Sequence, residues 1–135
     1  MKFEKDKELG RQIEAACEGL SYRSETDAAI LPFYGGKAED GVRETLLKEL
    51  GTEGNITIVE REFKEFFAKA TKIQKWYGVR ERENARGFAG LRVLLEKNLS
   101  DLKMFRIGKI QIDIYAVGID RKGNLAGIRT KAVET

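Results

Sequence analysis

In the stretch TKIQKWYGVRER, residues 71–82, Lys72, Lys75, Arg80 and Arg82 flank Trp76 and Tyr77. Cations neutralise phosphates and aromatic faces stack on bases, so this mixture can hold single-stranded nucleic acid. The plainer reading is a set of solvated charges. Other reactive residue types are sparse. Histidine is absent, which removes the usual general base at neutral pH, the triads that use it and the commonest metal ligand. One cysteine, Cys17, excludes an internal disulfide and argues against structural zinc. The run GNLAGIRT, residues 123–130, lacks the lysine–serine/threonine pair and the following helix of a phosphate-binding loop. Carboxylates are plentiful, yet no pair stands at a spacing tied to a reaction. These residues point away from an enzyme and from a resident cofactor.

The elements that must position them follow from periodicity. Leu9, Ile13, Ala16, Cys17 and Leu20 recur at spacings of three and four, predicting an amphipathic helix over 4–20 that stops at Gly19. Cys17 falls on that stripe, so it reads as a small core residue and not a nucleophile. Ile30, Leu31, Phe33 and Tyr34 suggest a strand that Pro32 confines to an edge or bulge, with Gly35 and Gly36 turning the chain. A helix over 38–50 carries Val42, Leu46 and Leu50 and ends at Gly51. A β-branched strand within 55–59 is centred on Ile56 to Val59. A helix over 61–70 turns Phe63, Phe66 and Phe67 inward. After a connection, a longer helix over 82–100 presents Ala85, Phe88, Leu91, Leu95 and Leu99.

The chain closes on a hairpin. In RIGKIQIDIYAVGI, Ile110, Ile112 and Ile114 share one face of a strand and Gln111, Asp113 and Tyr115 the other. DRKGN turns the chain, and Leu125 to about Val133 return antiparallel. Helices on both sides of the strand regions predict an α+β domain, one sheet covered on both faces. At 135 residues, 41% hydrophobic and 35% charged, the chain is the size of one globular domain, 1–135, without repeats. No membrane-length apolar run or signal-peptide core is visible, and a cytoplasmic location is expected. The net charge of +3 is uneven: residues 1–59 sum to −4 and residues 60–110 to +6.

The second half of the chain carries a resemblance. FFAKATKIQKWYG, LLEKNLSDL, RIGKIQIDIYAVG and above all the closing GNLAGIRTKAVET resemble the nuclease A inhibitor family. The likeness extends over essentially the whole chain and is strongest from Phe66 to Thr135. It implies a three-layer α/β/α sandwich with a mostly antiparallel sheet, similar to the pathogenesis-related protein fold. It also implies a protein inhibitor that blocks the active site of a sugar-non-specific DNA/RNA endonuclease of the ββα-metal type. Such enzymes cut phosphodiesters with magnesium and a histidine base. The inhibitor would be a monomer or a 1:1 complex with its nuclease, with no cofactor of its own and direct nucleic-acid binding disfavoured.

Three contact positions carry over from the resemblance. Glu25, in RSETD, would place its carboxylate where the enzyme's cations hold the scissile phosphate; read alone, Ser24 and Glu25 cap a turn or sit in a solvated loop. Trp76 would be an interface anchor; read alone, it could plug the edge of the core. Thr135 would offer its hydroxyl and the terminal carboxylate as hard oxygen ligands to the nuclease's magnesium. The residue before the tryptophan departs from the family pattern: it is acidic there and Lys75 here. With Lys75 and a net positive charge, the chain would not steer towards a strongly basic nuclease. The competing expectation is the same fold serving another acidic partner, nucleic acid or protein, with inhibition lost.

Overall fold

A computed structural model of the chain describes residues 7–51 and 56–135. In chain order the elements are helix α1 (Lys7–Cys17), strands β1 (Ser21–Arg23), β2 (Asp27–Ala29) and β3 (Leu31–Lys37), helix α2 (Val42–Leu50), strand β4 (Ile58–Arg61), helices α3 (Phe63–Thr71) and α4 (Val79–Asn98), and strands β5 (Ser100–Ile107), β6 (Gln111–Ile119) and β7 (Asn124–Val133). Five strands make one sheet in the order β3-β7-β6-β5-β4, while β1 and β2 pair as a separate hairpin. Every pairing is antiparallel. This is the α+β architecture expected.

The central strands are buried on both faces, so the alternation along β6 divides two cores. Ile112, Ile114 and Ala116 pack with residues of α1, α3 and α4, including Ile13, Phe67, Phe88, Leu91 and Leu95. Tyr115 and Val117 point the other way, into a smaller cluster with Val42 and Leu46 of α2, Phe105 and Leu125. Three helices therefore cover one face and a single short helix the other. Cys17 lies in the larger core at 4% exposure. Gly127, inside the closing motif, lets β7 approach β6 closely: a Cβ there would stand 2.1 Å from the Ala116 carbonyl oxygen.

The outer strands are β3 and β4. Pro32 sits on edge strand β3, as expected, and the β3–β7 register shifts between Tyr34 and Lys37. Gly35 and Gly36 do not end that strand; they lie inside it, where the irregularity absorbs them. On β4, Glu60 pairs with Arg43 at 3.6 Å and with Lys103 at 3.8 Å.

Three further expectations are corrected. Ile110 is not a strand residue facing the core; it is 58% exposed in the turn between β5 and β6. Gly108, with φ +112, makes that turn, and a Cβ there would lie 2.2 Å from the Gln111 carbonyl oxygen. RIGKIQIDIYAVGI is thus divided between two strands. The helix over 82–100 stops at Asn98, and β5 begins at Ser100 with no loop, so no glycine or proline marks the change. The β1–β2 hairpin had no counterpart among the expected strands. Residues 4–6 of the expected first helix, and residue 55 of the expected β-branched strand, lie outside the described residues; β4 starts two residues after Ile56. Among the described residues, no helix is long and apolar enough to cross a membrane.

Candidate functional site

Residues far apart in sequence meet at the end of β7. The β1–β2 turn brings Ser24 and Glu25 against it. The Val133 N–H donates to Ser24 Oγ at 3.0 Å, and the Glu25 N–H donates to the Val133 carbonyl at 3.2 Å. The hairpin is itself held to β7, because Thr130 Oγ1 donates to the Ala29 carbonyl at 2.9 Å. Glu25 then takes hold of Thr135 with both carboxylate oxygens. The Thr135 N–H donates to Glu25 Oε2 and its hydroxyl donates to Oε1, each at 2.6 Å. Hydrogen bonds to an ionised acceptor are about twice as strong as neutral ones, and a two-point grip fixes orientation as well as position. Both residues remain exposed.

The neighbouring Glu134 is tied to the sheet instead. Its N–H donates to the Ile110 carbonyl at 2.9 Å, and its carboxylate accepts from Arg106 Nη2. The Arg106 side chain is 18% exposed. Burial alone would lower its pKa, but the bonds to Glu134 and Tyr22 outweigh that and raise it. Arg106 thereby joins β5, the first hairpin and the C-terminal segment.

Trp76 occupies a different kind of setting, in the connection between α3 and α4. It is 73% exposed, so it does not plug the core. Its ring meets Tyr77 edge to face, with centroids 4.7 Å apart. Ile73 and Val79 are exposed on either side of it in sequence, so core packing explains none of the three. Lys75 is exposed in the same turn, and Lys72, Arg80 and Arg82 are exposed nearby in the chain.

A cleft of about 530 Å³ has Tyr77 on one wall and Glu134 on another, with the buried Phe66, Phe88 and Met104 reaching it from the core. The Trp76 connection and the C-terminal tip therefore border the same opening. Asn84 braces it by exchanging hydrogen bonds with the Ser21 backbone at 2.9 and 3.0 Å. Tyr22 stacks on Phe66 with centroids 5.5 Å apart.

The family model for nuclease A inhibitor-like proteins matches residues 7–135. The chain belongs to the nuclease A inhibitor-like family. Nuclease inhibition is the role this membership implies. A comparison with curated proteins found no match. In this family member, the expected contact residues fall into two groups. Glu25 and Thr135 touch directly; Trp76 and Lys75 stand in the α3–α4 connection. Cys17 is buried, and burial pushes its thiol up to about 12, which leaves it protonated and inert at neutral pH. Among the described residues, no cluster of three or more cysteine, aspartate or glutamate side chains could hold a metal ion.

Several neighbours of these groups escaped the sequence reading. Arg106 and Glu134 organise the tip with Ser24, which the sequence placed only at a turn, and only the topology brings the three together. Ile73 and Val79 did carry a signal, the same one as Trp76: large apolar residues outside any periodic stripe.

Proposed function

We propose that the chain inhibits a metal-dependent, sugar-non-specific endonuclease of the ββα-metal type by occupying its active site. The grip of Glu25 on Thr135 is the observation that supports this most directly. It gathers two acidic groups, the Glu25 side chain and the Thr135 carboxylate, on one tethered, exposed tip. Oxygen anions at fixed positions suit an active site that binds a phosphodiester through magnesium and cations. In the proposal, Glu25 stands in for the scissile phosphate, while the Thr135 carboxylate reaches the nuclease metal. Tethering before contact lowers the ordering entropy that a flexible tail would lose on binding. Trp76, with Ile73 and Val79, supplies the apolar anchor beside it.

The test is magnesium-dependent cleavage of plasmid DNA by purified ββα-metal endonucleases, titrated with the intact protein and with a form carrying two extra residues after Thr135. Inhibition by the intact form, and its loss on extension, is the expected result. No inhibition by the intact form against any enzyme of the panel would refute the reading.

A further inference from the structure

The cleft between Tyr77 and Glu134 is larger than any one side chain, and its charges are unevenly satisfied. Four cations line it: Arg23, Arg61, Lys69 and Arg106. Arg106 is engaged by Glu134, and Arg23 stands 3.8 Å from Asp27. Arg61 and Lys69 enter no ion pair among the described residues. The Arg61 backbone is fixed by β4, opposite Met104 of β5, and Lys69 by the last turn of α3. Glu65, one turn before Lys69 on that helix, is the remaining acidic side chain at the cleft. The site thus offers two uncommitted cations beside an apolar floor of Phe66, Phe88 and Met104.

We infer that this cleft is a second contact point for the inhibited nuclease, receiving an acidic surface segment whose carboxylate meets Arg61 and Lys69 while an adjoining apolar side chain rests on the floor. The inference builds on the nuclease reading above. A volume of about 530 Å³ lies within the range of ligand-sized sites and accommodates a short piece of chain. The mixed lining selects the occupant: Glu65 and Glu134 among the cations oppose a continuous polyanion, whereas a protein segment presents an isolated carboxylate beside apolar atoms. The position selects it again, because the cleft adjoins both the anionic tip and the Trp76 connection. The partner would thus show a cationic, metal-bearing centre to Glu25 and Thr135 and an acidic surface to Arg61 and Lys69. Charge pairs of this kind govern which partner associates, and how fast.

The decisive measurement is calorimetric affinity for the nucleases of the same panel, comparing the intact protein, Glu25→Ala and the double variant Arg61→Glu/Lys69→Glu. Both substituted cations are exposed, so the fold should survive; thermal unfolding checks this, and Arg61→Gln/Lys69→Gln replaces the reversal if it does not. The expected result is a loss of about tenfold or more for the double variant, shrinking as salt rises. Unchanged affinity in the double variant, with a loss in Glu25→Ala, overturns the cleft assignment and leaves the inhibitor reading standing. No binding by the intact protein removes both. A single-stranded oligonucleotide is the second probe: if it binds through Arg61 and Lys69 while nuclease affinity ignores them, the cleft belongs to nucleic acid and the inference fails.

Discussion

Thr135 is held by two hydrogen bonds to one carboxylate, whereas Trp76 is 73% exposed and rests edge-on against Tyr77. Each is next in sequence to a residue that lines one cleft, Glu134 and Tyr77, yet the first is organised by polar tethers and the second by the mere placement of apolar surface. The difference matches what the proposed roles would require of each. An oxygen ligand is useful only at a defined point, because coordination and charge-assisted bonds fall off steeply with distance and angle. An aromatic anchor gains from area removed from water and tolerates adjustment. In the proposed roles, preorganisation would therefore matter at the tip and much less at the tryptophan.

That contrast can be broken first at Glu25. Replacing it with alanine frees Thr135 and removes the acidic side chain, and inhibition should weaken by about 100-fold. Glu25→Gln keeps one acceptor oxygen, so a smaller loss would separate tethering from charge. A flat inhibition titration across all three proteins would abolish the distinction between the two regions. Trp76→Ala should cost about 2 kcal/mol of binding, roughly 30-fold, with no change in thermal midpoint because the ring is outside the core. A large fall in that midpoint would make Trp76 a structural residue after all. Arg106→Met leaves Glu25 and Thr135 in place but releases Glu134, and the expected loss is about tenfold in inhibition. Equal inhibition would show that Glu25 alone fixes the tip.

The smallest effect lies away from both regions, at Cys17. Its thiol titrates at 9.0 when free and is pushed up to about 12 by burial. Below pH 9.0 both folded and unfolded chains keep the proton, so the contribution to stability is complete there. As pH rises towards about 12, the unfolded chain ionises and the folded one does not, and stability is lost across that window. Urea midpoints measured against pH should fall more steeply for the natural protein than for Cys17→Ala. Parallel curves would contradict the burial argument.

What could be read without coordinates is what repeats locally. The stripe from Leu9 to Leu20, the phenylalanines of α3 and the leucines of α4 each recur with a helical period, and all of them proved buried or packed on the core. Short strands carry no such period. Three residues in β1 and three in β2 show no alternation that a reader could separate from a polar turn. β5 was hidden because helix passes to strand at Leu99 without a breaker, and Ile110 was misplaced because Gly108 turns a run that looks continuous. At the site, resemblance could point to Glu25 and Thr135, but not to their contact, since no local pattern couples residues 110 positions apart. Arg106 was invisible for a related reason: a lone cation on a strand means little until its cross-sheet neighbours are known.

The two outer strands decide one further property. An exposed strand edge presents unpaired backbone groups that invite another chain to add itself, the first step towards aggregation. On β3, Pro32 lacks the N–H that such an addition needs, and the irregularity at Tyr34 to Lys37 spoils the straight template. β4 is only four residues long and ends in Glu60 and Arg61, whose charges would have to be stripped of water. Both margins of the sheet thus resist polymerisation, which would keep the tip available for the proposed partner at high concentration.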